Sequence, residues 1–298
     1  MLIDRIQKIF SDYKGRIWIL DWNSLSVWLP EKRQIVPIPD INDVFLDGLQ
    51  LKDGRIILSA FRSKLYEVVE TQDSNFQVVE FSVGNEGEPF ISLWQNKAGL
   101  LFGCMSLKEI WILDPADNFR LLQRIPQLGT SQSFCEQPHE NIVWIANDYG
   151  LLRLDFRNGK YEPTLQGEKN GISNTVINSV AYGRDNRIWM GTNVGLSSCD
   201  PDLRQCHDYG LMDGTPALQF HHFAMLKRNN GELWFGSADV ITVFRPDSIG
   251  LLQIPAQPTL VDILVNDQRY PALVCSSTGA TNVSEMQHIS FGYGQNTL

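Results

Sequence analysis

The chain has 298 residues, with 25 Lys and Arg against 34 Asp and Glu and a net charge of −9. With 43% hydrophobic and 20% charged residues, its composition is that of a globular chain that buries a core, which excludes general disorder. No apolar run approaches the roughly 20 residues of a membrane span. The pI near 5.1, without a block of Lys or Arg, offers a phosphate backbone nothing broad to lie against, so no nucleic-acid partner is expected.

Taken in chain order, Met1 to Ile6 alternates charged and apolar residues and lacks the apolar stretch of a secretory signal. A turn leading into a short apolar strand follows at Gly15-Arg16-Ile17-Trp18. It recurs at Gly54-Arg55-Ile56-Ile57, Gly99-Leu100-Leu101-Phe102, Asn141-Ile142-Val143-Trp144, Asn186-Arg187-Ile188-Trp189 and Gly231-Glu232-Leu233-Trp234. The units begin 39, 45, 42, 45 and 45 residues apart, and four of the eight tryptophans (Trp18, Trp144, Trp189, Trp234) share one phase. A small residue follows the bulky one within two positions in five units: Ser59, Gly103, Ala146, Gly191 and Gly236. In the unit from Trp189 to Leu196, Asn193 to Gly195 can turn the chain into a second strand. Each unit thus reads as strand, turn, strand, turn.

Four short antiparallel strands per period, with no sustained helical periodicity, predict an all-β fold: a β-propeller of about six four-stranded blades over residues 1–257. A twisted four-stranded sheet cannot bury both faces alone. The repeated Trp is therefore read as the filling between neighbouring blades, and Gly191 and Gly236 as points of close backbone approach. Cys199 and Cys206 bracket a hairpin-like turn and either form a disulfide or remain two partly buried thiols; none of the five cysteines forms a Cys-x-x-Cys pair. From Pro258 the anchor pattern stops. A strand at Thr259 to Val265, a turn at Asn266-Asp267 and a last strand near Ile289 suggest the beginning of a β-sandwich, too short to be complete.

Catalytic and metal motifs are missing: there is no Walker loop, no dinucleotide fingerprint, no His-Glu-x-x-His and no calcium loop, so no metal and no cofactor are expected. His221-His222 is the one histidine pair, and on a strand its members would face opposite sides. Asp148, Asp185 and Asp239 sit in turns, where carboxylates bond the local backbone. Recognition in such a fold belongs to loops on a rigid scaffold. The long connections at 85–89, 166–174 and 209–220 are the candidates, with Trp22, Tyr149, Asn193 and His222 as ligand contacts.

The run Gly171-Ile172-Ser173-Asn174 through Val180, then Asp185 to Leu196, resembles the two-component regulator propeller repeat. That family supplies the extracytoplasmic sensor region of bacterial hybrid histidine kinases. Phe244 to Asp247, Pro258 to Asn266 and Ile289 to Phe291 resemble the junction into a Y_Y_Y β-sandwich, placing that domain at 258–298. The resemblance implies a periplasmic module that binds an oligosaccharide or other small nutrient ligand, is not an enzyme, and belongs to a longer parent carrying the kinase. Rings of seven blades are usual in that family. Six anchors leave an edge at which a homodimer could form. The rival readings are a propeller enzyme of the streptogramin lyase or lactonase type and a scaffold for other proteins.

Overall fold

The computed structural model describes residues 6–22, 24–39, 43–61, 64–71, 75–83, 88–106, 108–126, 129–249, 264–265 and 268–269. Two compact units divide the chain, Met1–Ile249 and Gly250–Leu298. The first is a six-bladed, all-β propeller. Helix among the described residues is confined to single 3-10 turns at Pro115–Asp117, Glu168–Asn170, Leu211–Asp213 and Pro246–Ser248.

Blade 1 comprises β1 (Ile6–Ser11), β2 (Ile17–Asp21), β3 (Ser24–Leu29) and β4 (Gln34–Ile38). Blade 2 comprises β5 (Phe45–Gln50), β6 (Ile56–Ala60), β7 (Lys64–Glu70) and β8 (Phe76–Phe81). Blade 3 is β9 (Phe90–Gln95), β10 (Leu101–Met105), β11 (Glu109–Asp114) and β12 (Arg120–Pro126). Blade 4 is β13 (Ser131–Glu136), β14 (Ile142–Asn147), β15 (Gly150–Arg157) and β16 (Lys160–Gln166). Blade 5 is β17 (Ile177–Tyr182), β18 (Ile188–Thr192), β19 (Gly195–Cys199) and β20 (Cys206–Tyr209). Blade 6 has three described strands, β21 (Met225–Lys227), β22 (Leu233–Gly236) and β23 (Ile241–Phe244). Within each sheet the spatial order is the order in sequence, and every pairing is antiparallel. In the second unit β24 (Leu264–Val265) pairs with β25 (Gln268–Arg269). The rest of the anticipated sandwich lies outside the described residues.

Each predicted anchor lies on the second strand of its blade. Five apolar clusters join blade 1 to 2, 2 to 3, 3 to 4, 4 to 5 and 5 to 6. Trp18, Ile57, Phe102, Trp144 and Trp189 are the anchors within them, and all are fully or almost fully buried. Close approach of the sheets is visible at Gly191, where an added Cβ would stand 2.5 Å from Ser179 Oγ and 3.0 Å from the Phe235 ring of the next blade. The indole N–H groups are also satisfied: Trp18 donates to Asp12, Trp144 to Gln137 and Trp189 to Asp185. Polar links between inner strands run beside the clusters. Lys8 pairs with Asp47 at 2.9 Å, Leu93 N donates to Asp47 Oδ2 at 2.8 Å, Ser92 Oγ donates to the Ser131 carbonyl, and Val180 N donates to Ser133 Oγ.

Two features depart from the sequence reading, and a third settles an alternative that it left open. Trp234 is only half-buried, because its face of blade 6 belongs to none of the five clusters. His221 and His222 lie in a turn rather than a strand: Ala224 N donates to the His221 carbonyl, Phe223 has φ +59°, and the inner strand begins only at Met225. Cys199 and Cys206, directly opposite each other on β19 and β20, form a disulfide with Cα atoms 4.1 Å apart. The other two described cysteines, Cys104 and Cys135, are free thiols, and burial pushes both far above the ordinary thiol range.

Candidate ligand-binding end of the disc

Because strands alternate in direction, the turns between second and third strands and the connections from one blade to the next gather at the same end of the disc. Hydrogen bonds tie the two kinds of segment together. In blade 4, Thr130 N donates to Asp148 Oδ2 and Tyr149 N to Asn147 Oδ1. In blade 5, Gly195 N bonds the Leu218 carbonyl and Phe220 N the Thr192 carbonyl, so the connection 210–220 is laced to the Asn193-Val194 turn. The anticipated bond from a turn carboxylate to the local backbone holds for Asp185, which receives Arg187 N, whereas Asp148 receives the N–H of Thr130, 18 residues earlier in the chain.

All four predicted contacts fall at this end. Tyr149 occupies the β14–β15 turn and is 58% exposed. Its ring lies against Gly129, which has φ +77° and where a Cβ would come within 2.6 Å of it, so only glycine leaves the ring that position. Asn193 is exposed at the β18–β19 turn, where its Oδ1 accepts from Asn178 Nδ2 at 2.8 Å and its amide NH₂ is left for a ligand. Asn178 also donates to the Phe220 carbonyl and so links blade 5 to the segment carrying His222. His222 sits at the surface. Burial of part of its ring pulls its pKa below the ordinary 6.5, opposed by the charge of Asp148 and reinforced by that of His221. Those charge effects place the tips of blades 4 and 6 in one neighbourhood. Trp22 stands apart on blade 1, in the β2–β3 turn, with its backbone N–H on the Asp21 carboxylate.

The sequence reading missed that the same turn carries an exposed apolar side chain in other blades. Phe61, Val194 and Val240 join Trp22 and Tyr149 in the turns after β6, β18 and β22. The signal was present, since each stands four to six positions after its anchor. Leu211 and Met212, in the connection 209–220, are exposed as well, Met212 almost completely. Among the described residues no group of three His, Cys, Asp or Glu side chains converges as metal ligands would. A surface depression lies elsewhere, at the β1–β2 end, lined by Arg16, Lys32, Glu70 and Phe76, where Arg16 and Glu70 are already paired at 2.9 Å.

Residues 171–194 match the family model described as Two component regulator propeller. The fifth blade carries a two-component regulator propeller repeat. The match covers the connection ahead of β17, then β17 and β18 with their turn. Among solved structures, the chain is similar to the extracellular domain of the putative hybrid two component system BT4673 from B. thetaiotaomicron, at 11% identity and TM-score 0.48. That alignment covers 80% of this chain and 40% of the other. The extracellular domain of the putative hybrid two component system BT3049 from the same organism is 14% identical over 88% of this chain and 48% of its own, with TM-score 0.42. A protein of unknown function from Bacteroides caccae is 13% identical, over 70% of this chain and 84% of its own, with TM-score 0.48. The chain thus spans less than half the length of the two hybrid-system domains. No curated protein matches the sequence. No helix among the described residues is long and apolar enough to cross a membrane.

Proposed function

We propose that this chain is the ligand-sensing module of an extracytoplasmic two-component signalling protein. In this reading it binds a neutral oligosaccharide or another small nutrient and does not turn it over. The observation that carries the reading is that Tyr149, Asn193 and His222 lie in turns and connections at one end of the disc, where Asn178 ties the Asn193 turn to the segment that carries His222. An aromatic face, an amide NH₂ and an imidazole suit a polyhydroxylated ligand, which stacks on the ring and exchanges hydrogen bonds with the polar groups. The two-component regulator propeller repeat in blade 5 supports the signalling context, and a kinase region would belong to the parent protein. The Cys199–Cys206 disulfide supports an oxidising compartment such as the periplasm.

A calorimetric screen of neutral oligosaccharides against the full chain tests this. Saturable binding with little dependence on salt is expected, because a neutral ligand is not steered by charge. It should weaken about tenfold or more in Tyr149→Ala, by loss of a stacked aromatic. Turnover of any ligand that disappears in His221→Ala or His222→Ala would instead make the protein an enzyme.

A further inference from the structure

An arginine precedes the second strand in three blades, as Arg16, Arg55 and Arg187 directly ahead of Ile17, Ile56 and Ile188. In blade 5 the Arg187 guanidinium donates to Ser198 Oγ, the Ser198 carbonyl and the Gln205 carbonyl. In blade 2 that of Arg55 donates twice to Asp53 Oδ2 and once to the Pro115 carbonyl. Arg16 is as buried as Arg187, yet its side chain closes fewer bonds: Nε to Asp12 Oδ2 at 2.6 Å and Nη1 to Glu70 Oε2 at 2.9 Å. Nη2 has no partner among the described residues. Glu70 is used unevenly as well, since Oε2 receives Lys14 Nζ in addition to Arg16 while Oε1 receives no described group. The Lys14 hydrogen bond above all holds this carboxyl below the ordinary carboxylate range, so it stays ionised at neutral pH.

Both groups line the depression at the β1–β2 end, whose volume is about 190 Å³. Phe76 and Leu29, buried members of the cluster between blades 1 and 2, give it an apolar side, and the Arg16 guanidinium stands 5.1 Å from the centre of the Phe76 ring. Glu31 and Lys32, exposed in the β3–β4 turn, line its rim, and neither enters an ion pair among the described residues.

We propose that this depression binds a free α-amino acid with an apolar side chain. The carboxylate takes Arg16 Nη2 and Lys32, the ammonium takes Glu70 Oε1, and the side chain lies on Phe76 and Leu29. Both signs of charge stand beside one apolar wall, in a volume that holds one such molecule. A neutral sugar would leave those charges unused, and a simple carboxylic acid would set its charge beside Glu70 with nothing to offset it. The site joins blade 1 to blade 2 at the end of the disc opposite Tyr149, so it is separate from the oligosaccharide contacts.

Calorimetric titration of the full chain with L-leucine and L-phenylalanine tests this, with N-acetyl-L-leucine lacking the ammonium and L-leucinamide lacking the carboxylate. Saturable one-to-one binding of at least one of the two amino acids is expected, about tenfold or more tighter than of either blocked probe. Affinity should fall about tenfold or more in Glu70→Gln and about threefold in the exposed Lys32→Ala, and hold in Lys64→Ala, at the other end of β7. N-acetyl-L-leucine should bind Glu70→Gln no more weakly than the unsubstituted chain, a result that general damage to the fold would not give; Lys32→Ala carries the test if Glu70→Gln does not fold. No saturation by about 10 mM, equal affinity for the blocked probes, or binding indifferent to both substitutions overturns the proposal.

Discussion

Blade 4 meets blade 5 through Ile142, Trp144, Leu151, Val180 and Met190, all buried, and through Ser133 Oγ, which accepts Val180 N at 3.1 Å. Blade 6 brings the same kind of anchor to the far end of the ring, but Trp234 is half-buried and Ile241, Val243 and Leu226 are exposed around it. The contrast shows that the repeated Trp is a core residue only when a neighbour covers it. Sequence phase selects which face it occupies. Burial depends on what stands opposite.

The largest effect that can break this comparison is truncation of the anchors. Trp144→Ala is expected to cost about 3 to 5 kcal/mol, the range for a large aromatic in a packed core, and Trp234→Ala about 1 kcal/mol or less. Denaturant midpoints of the two variants measure the gap; equal losses would mean that blade 6 is packed like blade 4.

Close approach gives the next effect. Gly191→Ala should cost about 1 to 3 kcal/mol, because its methyl group would press on Ser179 and Phe235. Gly210→Ala should be nearly neutral, since φ is −114° there and nothing lies within 4 Å of the new Cβ. The same denaturation curves report both.

A smaller effect separates two serines at one phase. Ser133 Oγ links blades 4 and 5, whereas the buried Ser179 Oγ has no hydrogen-bond partner among the described residues. Ser133→Ala should lose about 1 kcal/mol and Ser179→Ala close to nothing, because only the first removes a hydrogen bond made inside the protein. A larger loss at Ser179 would reveal a partner that the serine holds.

How far this was legible in the sequence follows from the same residues. The six anchors and their period fixed the fold, because packing between blades demands a large side chain at one phase and leaves that demand visible in the chain. The half-burial of Trp234 was not legible, since its neighbour is a matter of ring closure and no local pattern encodes it. At the candidate site, Tyr149 and Trp22 announce themselves as aromatics in turns, whereas the engagement of Asn193 by Asn178 is a contact between a turn and an inner strand 15 residues away. The turn at His221 to Phe223 was not legible, since the left-handed φ at Phe223, unusual for a bulky residue, leaves no mark in sequence.

The smallest effect is electrostatic and sharpens the geometry at the tips of blades 4 and 6. The NMR titration midpoint of His222 should lie below 6.5, and Asp148→Asn should lower it further, because the carboxylate favours the imidazolium. With a depressed folded pKa, the unfolded chain takes up the proton first. Stability should therefore decline slightly as pH falls through 6.5 toward the folded value, an effect kept small by the exposure of the ring and abolished in His222→Gln. A midpoint unmoved in Asp148→Asn would separate the two tips.

Amide hydrogen exchange on the full chain tests most directly whether the five apolar interfaces found among the described residues hold the disc. Strands β14 and β18, each covered on both faces, should exchange slowest, near the rate of global unfolding, while β1, β22 and β23, on blades that no described apolar cluster joins, should exchange through cheaper local opening. Uniform protection across all six blades would contradict this account and make blades 6 and 1 as firmly joined as blades 4 and 5.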